Sequence, residues 1–321
     1  MQHRYGSADS WQVGEIPTPS PAPGEVLVRV RAAGIDRGTW HLMTGRPLLL
    51  RLGFGLRRPR VPVPGRDLAG IVEAVGKGVT RFVVGDQVFG TTGWGSFAEL
   101  ARAREDRLAL KPAALSFAAA AAVPVSAVTA LQGLRDVGRV QTGQKVMVIG
   151  ASGGVGSYAV QLAKAFGAEV TGVCSTTKVE LVESLGVDHV IDYTRCDIDE
   201  DARRYDLVLD TGGNRPVSQL RTVLTETGTL VIVGGEGGDR WLGGFDRQLR
   251  AAARSPFVRH RLAMFVAKEN AVDLETLAEM VTLGNLRPVV DRAFPLEEAA
   301  AAMAHLESGH ARGKVVVTVS A

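Results

Sequence analysis

Lys145–Val170 reads KVMVIGASGGVGSYAVQLAKAFGAEV. It opens as an apolar run, crosses glycines at 150, 153, 154 and 156, and continues as an amphipathic stretch. Lys145–Ile149 has the length and apolarity of a strand buried on both faces. Val155, Ala159, Leu162 and Phe166 then recur at helical spacing, and Gly167 stands where such a helix ends. Glycine loses more backbone entropy on folding than any other residue, so a cluster of them marks a tight turn or a close approach. At a strand-to-helix turn the missing side chains let the backbone approach a diphosphate. The helix N-terminus there offers unsatisfied N–H groups and the positive end of its dipole.

The sequence around this turn supports that reading. EVTGVC, HVIDY, YDLVLDTGG, GTLVIVGGEGG and RLAMFVAK follow as strand-like runs with a helical stretch, KVELVESLG, among them. A β–α–β rhythm predicts a doubly wound parallel sheet, an α/β architecture with helices on both faces. The dinucleotide fingerprint G-x-G-x-x-G is altered: residue 151 is alanine, and Gly150, Gly153 and Gly156 give G-x-x-G-x-x-G instead. The alternative is a tight turn with no ligand, but the complete β–α–β unit favours binding. The expected cradle is Gly150, Ala151, Ser152, Gly153, Gly154, Val155 and Gly156.

An acid ending the second strand would bind the ribose diol of NAD. That strand here runs into VTGVCSTTK with no Asp or Glu between Val170 and Val179. Ser175, Thr176 and Lys178 are present instead, and hydroxyls with a cation suit the 2′-phosphate of NADPH. The alternative is an ordinary polar loop. NADPH is the expected cofactor.

The remaining sequence sets bounds. At 321 residues the chain is too long for one ordinary core, so two domains are expected. It has 45% hydrophobic and 22% charged residues and a net charge of +3, with arginines scattered over much of its length. No nucleic-acid surface is implied. Cys174 and Cys196 form no CxxC pair and no disulfide framework. MQHRYGSADSW lacks a signal core, and AALSFAAAAAVPVSAVTAL, the nearest approach to a membrane span, is alanine-rich and broken by Pro124. A soluble, cytoplasmic protein with no membrane partner is expected. The first third reads as β: GEVLVRVRAAGI alternates apolar and polar from Glu25 to Arg31, and DLAGIVEAVG and VGDQVFG are further strands. Pro17, Pro19, Pro21 and Pro23 make an extended lead-in. DLETLAEMVTLG and PLEEAAAAMAHLESG read as helices and KVVVTV as a strand.

APGEVLVRVRAAGI, PVPGRDLAGIVEAVGKGVTRFVVGDQVFG, GSFAEL, AAAVPVSAVTAL, GASGGVGSYAVQLAKAFGA, GVDHVIDY, FPLEEAAAAM and GKVVV occur in this order. Together they resemble the medium-chain dehydrogenase/reductase superfamily, in its zinc-independent, quinone oxidoreductase-like (zeta-crystallin-like) branch. The resemblance implies a mostly β GroES-like catalytic domain, 1–122 and 269–321, split around a Rossmann cofactor domain, 123–268. It implies a nicotinamide between the two domains, with Thr129 near its amide, Tyr193 near the adenosine phosphate and Gly234 and Gly235 at the nicotinamide ribose. Lys314 is a further, weaker cofactor candidate. The family commonly forms homodimers through Rossmann edge strands, which would place FVRHRLAMFVAK at the contact.

Zinc-dependent relatives carry Cys soon after AAG and a His-Glu pair after Pro-Gly. Here AAG is followed by Ile35 and Asp36, and Pro-Gly by Arg66 and Asp67. No cysteine precedes Cys174, so the structural zinc lobe is missing too. A guanidinium cannot give up its proton to coordinate a cation, and no metal is expected. Without a Lewis acid, alcohol oxidation loses its stabiliser for an alkoxide. A conjugated acceptor instead delocalises the incoming charge into an enolate or hydroquinone anion. Some relatives place a tyrosine shortly after AAG; DRGTWHLMTG has none. Asp36 stands where many relatives have asparagine, and His41 lies near the missing tyrosine. His41 is a candidate proton donor or a solvated helix residue. Asp36, His41 and Thr129 are the catalytic candidates. RPLLLRLGFGLRRPRVPVP reads either as a greasy cleft wall or as a packed helix with solvated arginines. The expected activity is NADPH-dependent hydride transfer to a small hydrophobic quinone or α,β-unsaturated carbonyl. A zinc-free carbonyl or alcohol oxidoreductase and a non-catalytic, crystallin-like NADPH-binding protein are the alternatives.

Overall fold

EVLVRVRAAGI forms β1 (Glu25–Ile35), and its burial departs from simple alternation. Val26, Val28 and Val30 face the core as expected, but Leu27 is buried as well and burial is continuous from Ala32 to Ile35. The reason is pairing: β1 is hydrogen-bonded to β2 (Asp67–Val75) along most of its length and to β4 (Leu100–Arg104) and a later strand at its two ends. Two bulges, at Leu27/Val28 and Val30/Ala32, bend it between these partners. β3 (Gln87–Thr91) pairs with β2, and the three-residue β5 (Leu108–Leu110) pairs with β3. The computed structural model describes residues 1–234, 240–244, 251, 255 and 258–320.

The chain then builds a second sheet from β6 (Lys145–Ile149), β7 (Glu169–Cys174), β8 (His189–Asp192), β9 (Tyr205–Asp210), β10 (Leu224–Ile232) and β11 (Arg261–Met264). All of its pairings are parallel, in the order β8-β7-β6-β9-β10-β11. This is the doubly wound order, reversing direction between β6 and β9. Met147, Ile149, Val173, Val208, Leu230 and Ile232 form its core. The chain returns with β12 (Val290–Pro295) and β13 (Lys314–Thr318), which extend the first sheet to the order β12-β13-β1-β2-β3-β5. Two units result, Met1–Val128 with Glu269–Ala321 and Thr129–Lys268.

The alanine-rich stretch makes two helices. Phe117–Ala121 is capped by Ser116, whose Oγ accepts from Ala119 N at 3.1 Å. Pro124–Gln132 begins on its proline, where the missing N–H costs nothing. Among the described residues no helix is long and apolar enough to cross a membrane. The basic, apolar stretch after Arg46 becomes a 3-10 turn, Leu48–Leu50, running into a short helix, Arg51–Phe54. Arg46, Arg57, Arg58 and Arg60 are exposed, as the packed-helix reading expects, while Arg51 lies 4.4 Å over the Tyr5 ring and donates from Nε to Gly45 O at 2.9 Å.

Candidate functional site

In the second unit, the turn after β6 is pinned to the neighbouring strand. The N–H groups of Gly150 and Ala151 both donate to Val173 O at 3.1 Å. Gly150 has φ +80°, a conformation that favours glycine. The helix Gly154–Ala165 starts at Gly153, which has no side chain to cap it, so the first-turn amides are left to another acceptor. A β-carbon on Gly156 would lie 2.0 Å from Gly150 O, so only glycine lets the helix sit this close to the turn. The bare backbone and uncapped helix start fit a dinucleotide diphosphate. The turn also lies at the strand-order reversal, where such folds take their ligands. Ser152 is buried in the same turn, and Val155 begins the helical apolar stripe.

On the other side of the reversal, Asp210 ends β9 fully buried, with Oδ1 accepting from Gly213 N at 3.0 Å. Gly234 follows β10 and donates to Asp210 O at 3.1 Å; a β-carbon there would meet Thr211 O at 2.5 Å. Gly235 lies outside the described residues. Thr129 is half-buried on the helix Pro124–Gln132.

At the end of β7, Ser175 opens a single 3-10 turn, Thr176–Lys178. Tyr193 follows β8, donates from its N–H to Cys174 O at 3.1 Å, and is 50% exposed. β7 itself ends without an acid, as expected, but β8 brings Asp192 alongside. Thr176 Oγ1 donates to Asp192 Oδ2 at 2.6 Å, and Thr194 Oγ1 to Oδ1 at 2.7 Å. The Thr176 hydrogen bond leads the causes that hold this carboxyl below its usual range. Arg195 Nε is 3.4 Å from Asp192, and Arg215 lies 5.7 Å over the Tyr193 ring. Asp192 and Arg215 were not singled out in the sequence, because adjacency of strand ends is set by sheet order.

The first unit holds the other candidates. Asp36 caps the helix Arg37–Thr44: its Oδ1 accepts from Thr39 N at 2.7 Å and Thr39 Oγ1 at 3.1 Å. Its Oδ2 is buried with no hydrogen-bond partner in the protein. His41 sits on the same helix with Nδ1 2.7 Å from Arg46 O. A carbonyl only accepts, so Nδ1 carries the proton.

Lys314 corrects an expectation. It is 2% exposed, and its ammonium donates to Asp67 Oδ2 at 3.1 Å. It is therefore committed to an internal pair and is not a cofactor contact. Asp67 Oδ1 accepts from Val125 N at 3.0 Å. β1 separates the two strands that carry this pair, and Gly34 leaves room for it: a β-carbon there would be 2.8 Å from Asp67 Oδ2. Burial pushes the Asp67 carboxyl up, the Lys314 ammonium pulls it back and the Asp36 carboxylate raises it again, leaving it at about 6. Arg66, next to it, pairs with Glu269 and lies 5.3 Å over the Trp94 ring.

Comparison with known proteins agrees with this architecture. Residues 22–113 match the family described as alcohol dehydrogenase GroES-like domain, and residues 185–317 the one described as zinc-binding dehydrogenase. The chain is 32% identical to the chloroplast envelope quinone oxidoreductase homolog of Arabidopsis thaliana, over 97% of this chain and 95% of that one. It is 34% identical to the chloroplastic NADPH-dependent alkenal/one oxidoreductase of the same plant, over 98% and 77%. The quinone oxidoreductase of Coxiella burnetii has the same fold, with a TM-score of 0.88 at 28% identity over 99% and 98%. With the split GroES-like unit, the doubly wound sheet and the glycine turn, these similarities make the chain a member of the medium-chain dehydrogenase/reductase superfamily, in its quinone oxidoreductase-like family.

Proposed function

We propose that this oxidoreductase uses NADPH to reduce a quinone or an α,β-unsaturated carbonyl, and that it does so without a metal ion. The observation that carries the reading is the cationic end of the cofactor crevice. Lys178 closes the turn after β7, which opens with the hydroxyls of Ser175 and Thr176, and Arg215 lies over the ring of Tyr193, whose N–H donates to the last residue of β7. These groups suit a 2′-phosphate, which a guanidinium or ammonium binds through charge-assisted hydrogen bonds. The NADPH-dependent Arabidopsis relative points the same way.

When bound, the reduced nicotinamide supplies a hydride. The protein's own work is to hold and orient. The amides of the Gly153–Gly156 turn meet the diphosphate, and Gly234 lets backbone come close beside the strand-order reversal. The metal-free part rests on donor chemistry. Arg66 cannot ligate a cation, and Asp67 is spent on Lys314. Among the described residues no group of three or more His, Cys, Asp or Glu is placed to hold a metal.

Asp192 favours a second reading, an NADH enzyme in which this carboxylate takes the ribose diol. Substituting Lys178→Ala separates them. The NADPH reading expects the Kd for NADPH to rise about tenfold or more, with NADH little changed. An equal effect on both cofactors, together with loss of NADH binding in Asp192→Asn, would establish the NADH reading. Turnover of an enone and quinone panel, followed by loss of reduced-nicotinamide absorbance after exhaustive chelation, tests the rest. Activity that disappears on chelation and returns with zinc would end the metal-free claim.

A further inference from the structure

Between Asp36 and Asp67 the chain carries seven arginines and no aspartate or glutamate, against a net charge of +3 for all 321 residues. The same stretch of the first unit exposes large aliphatic side chains. Leu49, Leu52, Leu56 and Val61 are 48%, 65%, 67% and 43% exposed. Leu49 and Leu52 stand one helical turn apart where the 3-10 turn Leu48–Leu50 runs into the helix Arg51–Phe54. A single exposed leucine is ordinary, but a group of them marks a surface that meets something apolar. The segment is clamped, so these side chains are presented and not left loose. Tyr5 Oη donates to Gly55 O at 2.6 Å, Arg51 holds Gly45 O from above the Tyr5 ring, and Arg60 N donates to Phe54 O at 2.8 Å. Phe54 meets Trp94 edge-to-face at 5.7 Å. Gly55 has φ +118°, and a β-carbon there would collide with Arg58 O, so the chain folds back tightly around Leu56.

The arginines of this stretch divide by role. Arg51 and Arg66 are spent inside the unit, on Gly45 O and on Glu269. Arg46, Arg57, Arg58 and Arg60 are exposed. Elsewhere in the unit Arg29, Arg81 and Arg104 pair with Glu73, Glu275 and Asp106, whereas the described residues offer these four no carboxylate. Exposed leucines call for an apolar partner and unpaired guanidiniums for an anionic one, and the surface of an anionic bilayer is both. We propose that this face seats the protein on membranes that contain anionic phospholipids. Leu49, Leu52 and Leu56 enter the boundary between headgroups and acyl chains, and the arginines meet lipid phosphates, which a guanidinium takes through paired N–H groups. Charge decides against the other occupants. A second copy of the same face would set its own cations against these, and a nucleic acid would leave the leucines without an apolar partner. The sequence pointed away from a membrane because it lacks a spanning segment, but a protein that lies on a bilayer needs none. The seating involves the first unit alone and is independent of the acceptor that the enzyme reduces.

Flotation of the full chain with vesicles tests this. Vesicles of phosphatidylcholine mixed with phosphatidylglycerol are expected to bind the wild-type protein, and vesicles of phosphatidylcholine alone to bind it at least about tenfold less. Salt weakens the binding by screening the arginines and leaves the part that the leucines supply. Each basic residue near an anionic surface strengthens attachment about fivefold, so Arg57→Gln, Arg58→Gln and Arg60→Gln combined are expected to cost about 100-fold. Leu52→Ser with Leu56→Ser is expected to bind more weakly and to be released completely by high salt. Both variants keep wild-type circular dichroism and melting, because the changed side chains are exposed. Arg312→Gln, which removes an exposed cation elsewhere in the same unit, is expected to bind as the wild type does. Equal flotation with both kinds of vesicle, flotation with neither, or wild-type flotation of the triple arginine variant would overturn the proposal. So would release of the wild type from vesicles by free glycerol phosphate at the same phosphate concentration, which would make the ligand a soluble phosphate. Tighter binding to single-stranded RNA that ignores the leucine pair would assign the face to a nucleic acid, and self-association abolished by the leucine pair would assign it to a second copy; either result defeats the membrane.

Discussion

Replacing Lys314 with methionine strips the Asp67 carboxyl of its one ionic partner and keeps most of the volume. In the native protein burial already raises this carboxyl from 3.8 to about 6. At 1.36 kcal/mol per pH unit, that disfavours the folded state by about 3 kcal/mol at neutral pH. The sign follows from proton binding. Between pH 4 and 6 the folded chain holds a proton on Asp67 that the unfolded chain has released. This contribution to stability is therefore full below about pH 4 and is lost as pH rises through about 6. Without the ammonium, the carboxyl stays protonated well above 6, and the folded variant goes on losing stability with pH where the wild type has levelled off. Two pH units at about 1.4 kcal/mol each widen the gap between the proteins by about 3 kcal/mol from pH 6 to pH 8. At pH 7 the total loss is expected at about 3–5 kcal/mol, the usual effect of removing one member of a buried pair. Urea unfolding at pH 6, 7 and 8 measures this. Tryptophan fluorescence reports mainly the first unit, which holds Trp11, Trp40 and Trp94, with Trp241 in the second. Adding Asp67→Asn removes the stranded acid and is expected to restore much of the loss at pH 8. A stability gap that is the same at pH 6 and 8, or a double variant no better than the single one, would refute the electrostatic account.

Two further substitutions or reactions probe the second unit. Gly156→Ala puts a methyl 2.0 Å from Gly150 O, so either the turn or the helix must shift. A loss of about 1–3 kcal/mol in stability and at least tenfold weaker dinucleotide binding by calorimetry are expected; a variant with normal melting and normal affinity would show that the turn is looser than described. Cys174 is buried at the end of β7, where burial first and Asp192 second push its thiol up to about 11. At pH 8 about one molecule in a thousand carries its thiolate. Iodoacetamide should therefore label exposed Cys196 far ahead of Cys174, as read by peptide mass spectrometry, and comparable rates would contradict that burial.

What could be read from the sequence was local. Lys145–Val170 carries its strand, glycine turn and helix within one short span, and the turn formed where expected. The parallel strands after it were visible because each is a compact apolar run. β5 was missed: three residues have no period of their own, and its pairing with β3 is set at a distance. β4 is hardly longer, and its place is likewise set by a distant partner, β1. Charge pairing was the least legible layer. Lys314 meets Asp67 across 247 positions and Arg66 meets Glu269 across 203, so neither partner could be found by scanning neighbours. The absence of an acid at the end of β7 is plain from Val170–Val179, yet sheet order delivers Asp192 from the next strand.

The first sheet is interrupted in the chain but not in space. β13 lies inside it, between β12 and β1, yet it is translated only after the whole of Thr129–Lys268. On the ribosome, the continuous second unit can close while β1 still shows the nascent chain an open edge. A polypeptide that stops before Lys314 therefore carries a finished dinucleotide fold joined to an unsealed β-layer and a carboxylate with no counter-ion. That species invites chaperones and proteases, so translation has to run through GKVVV before this protein can be tested for anything else.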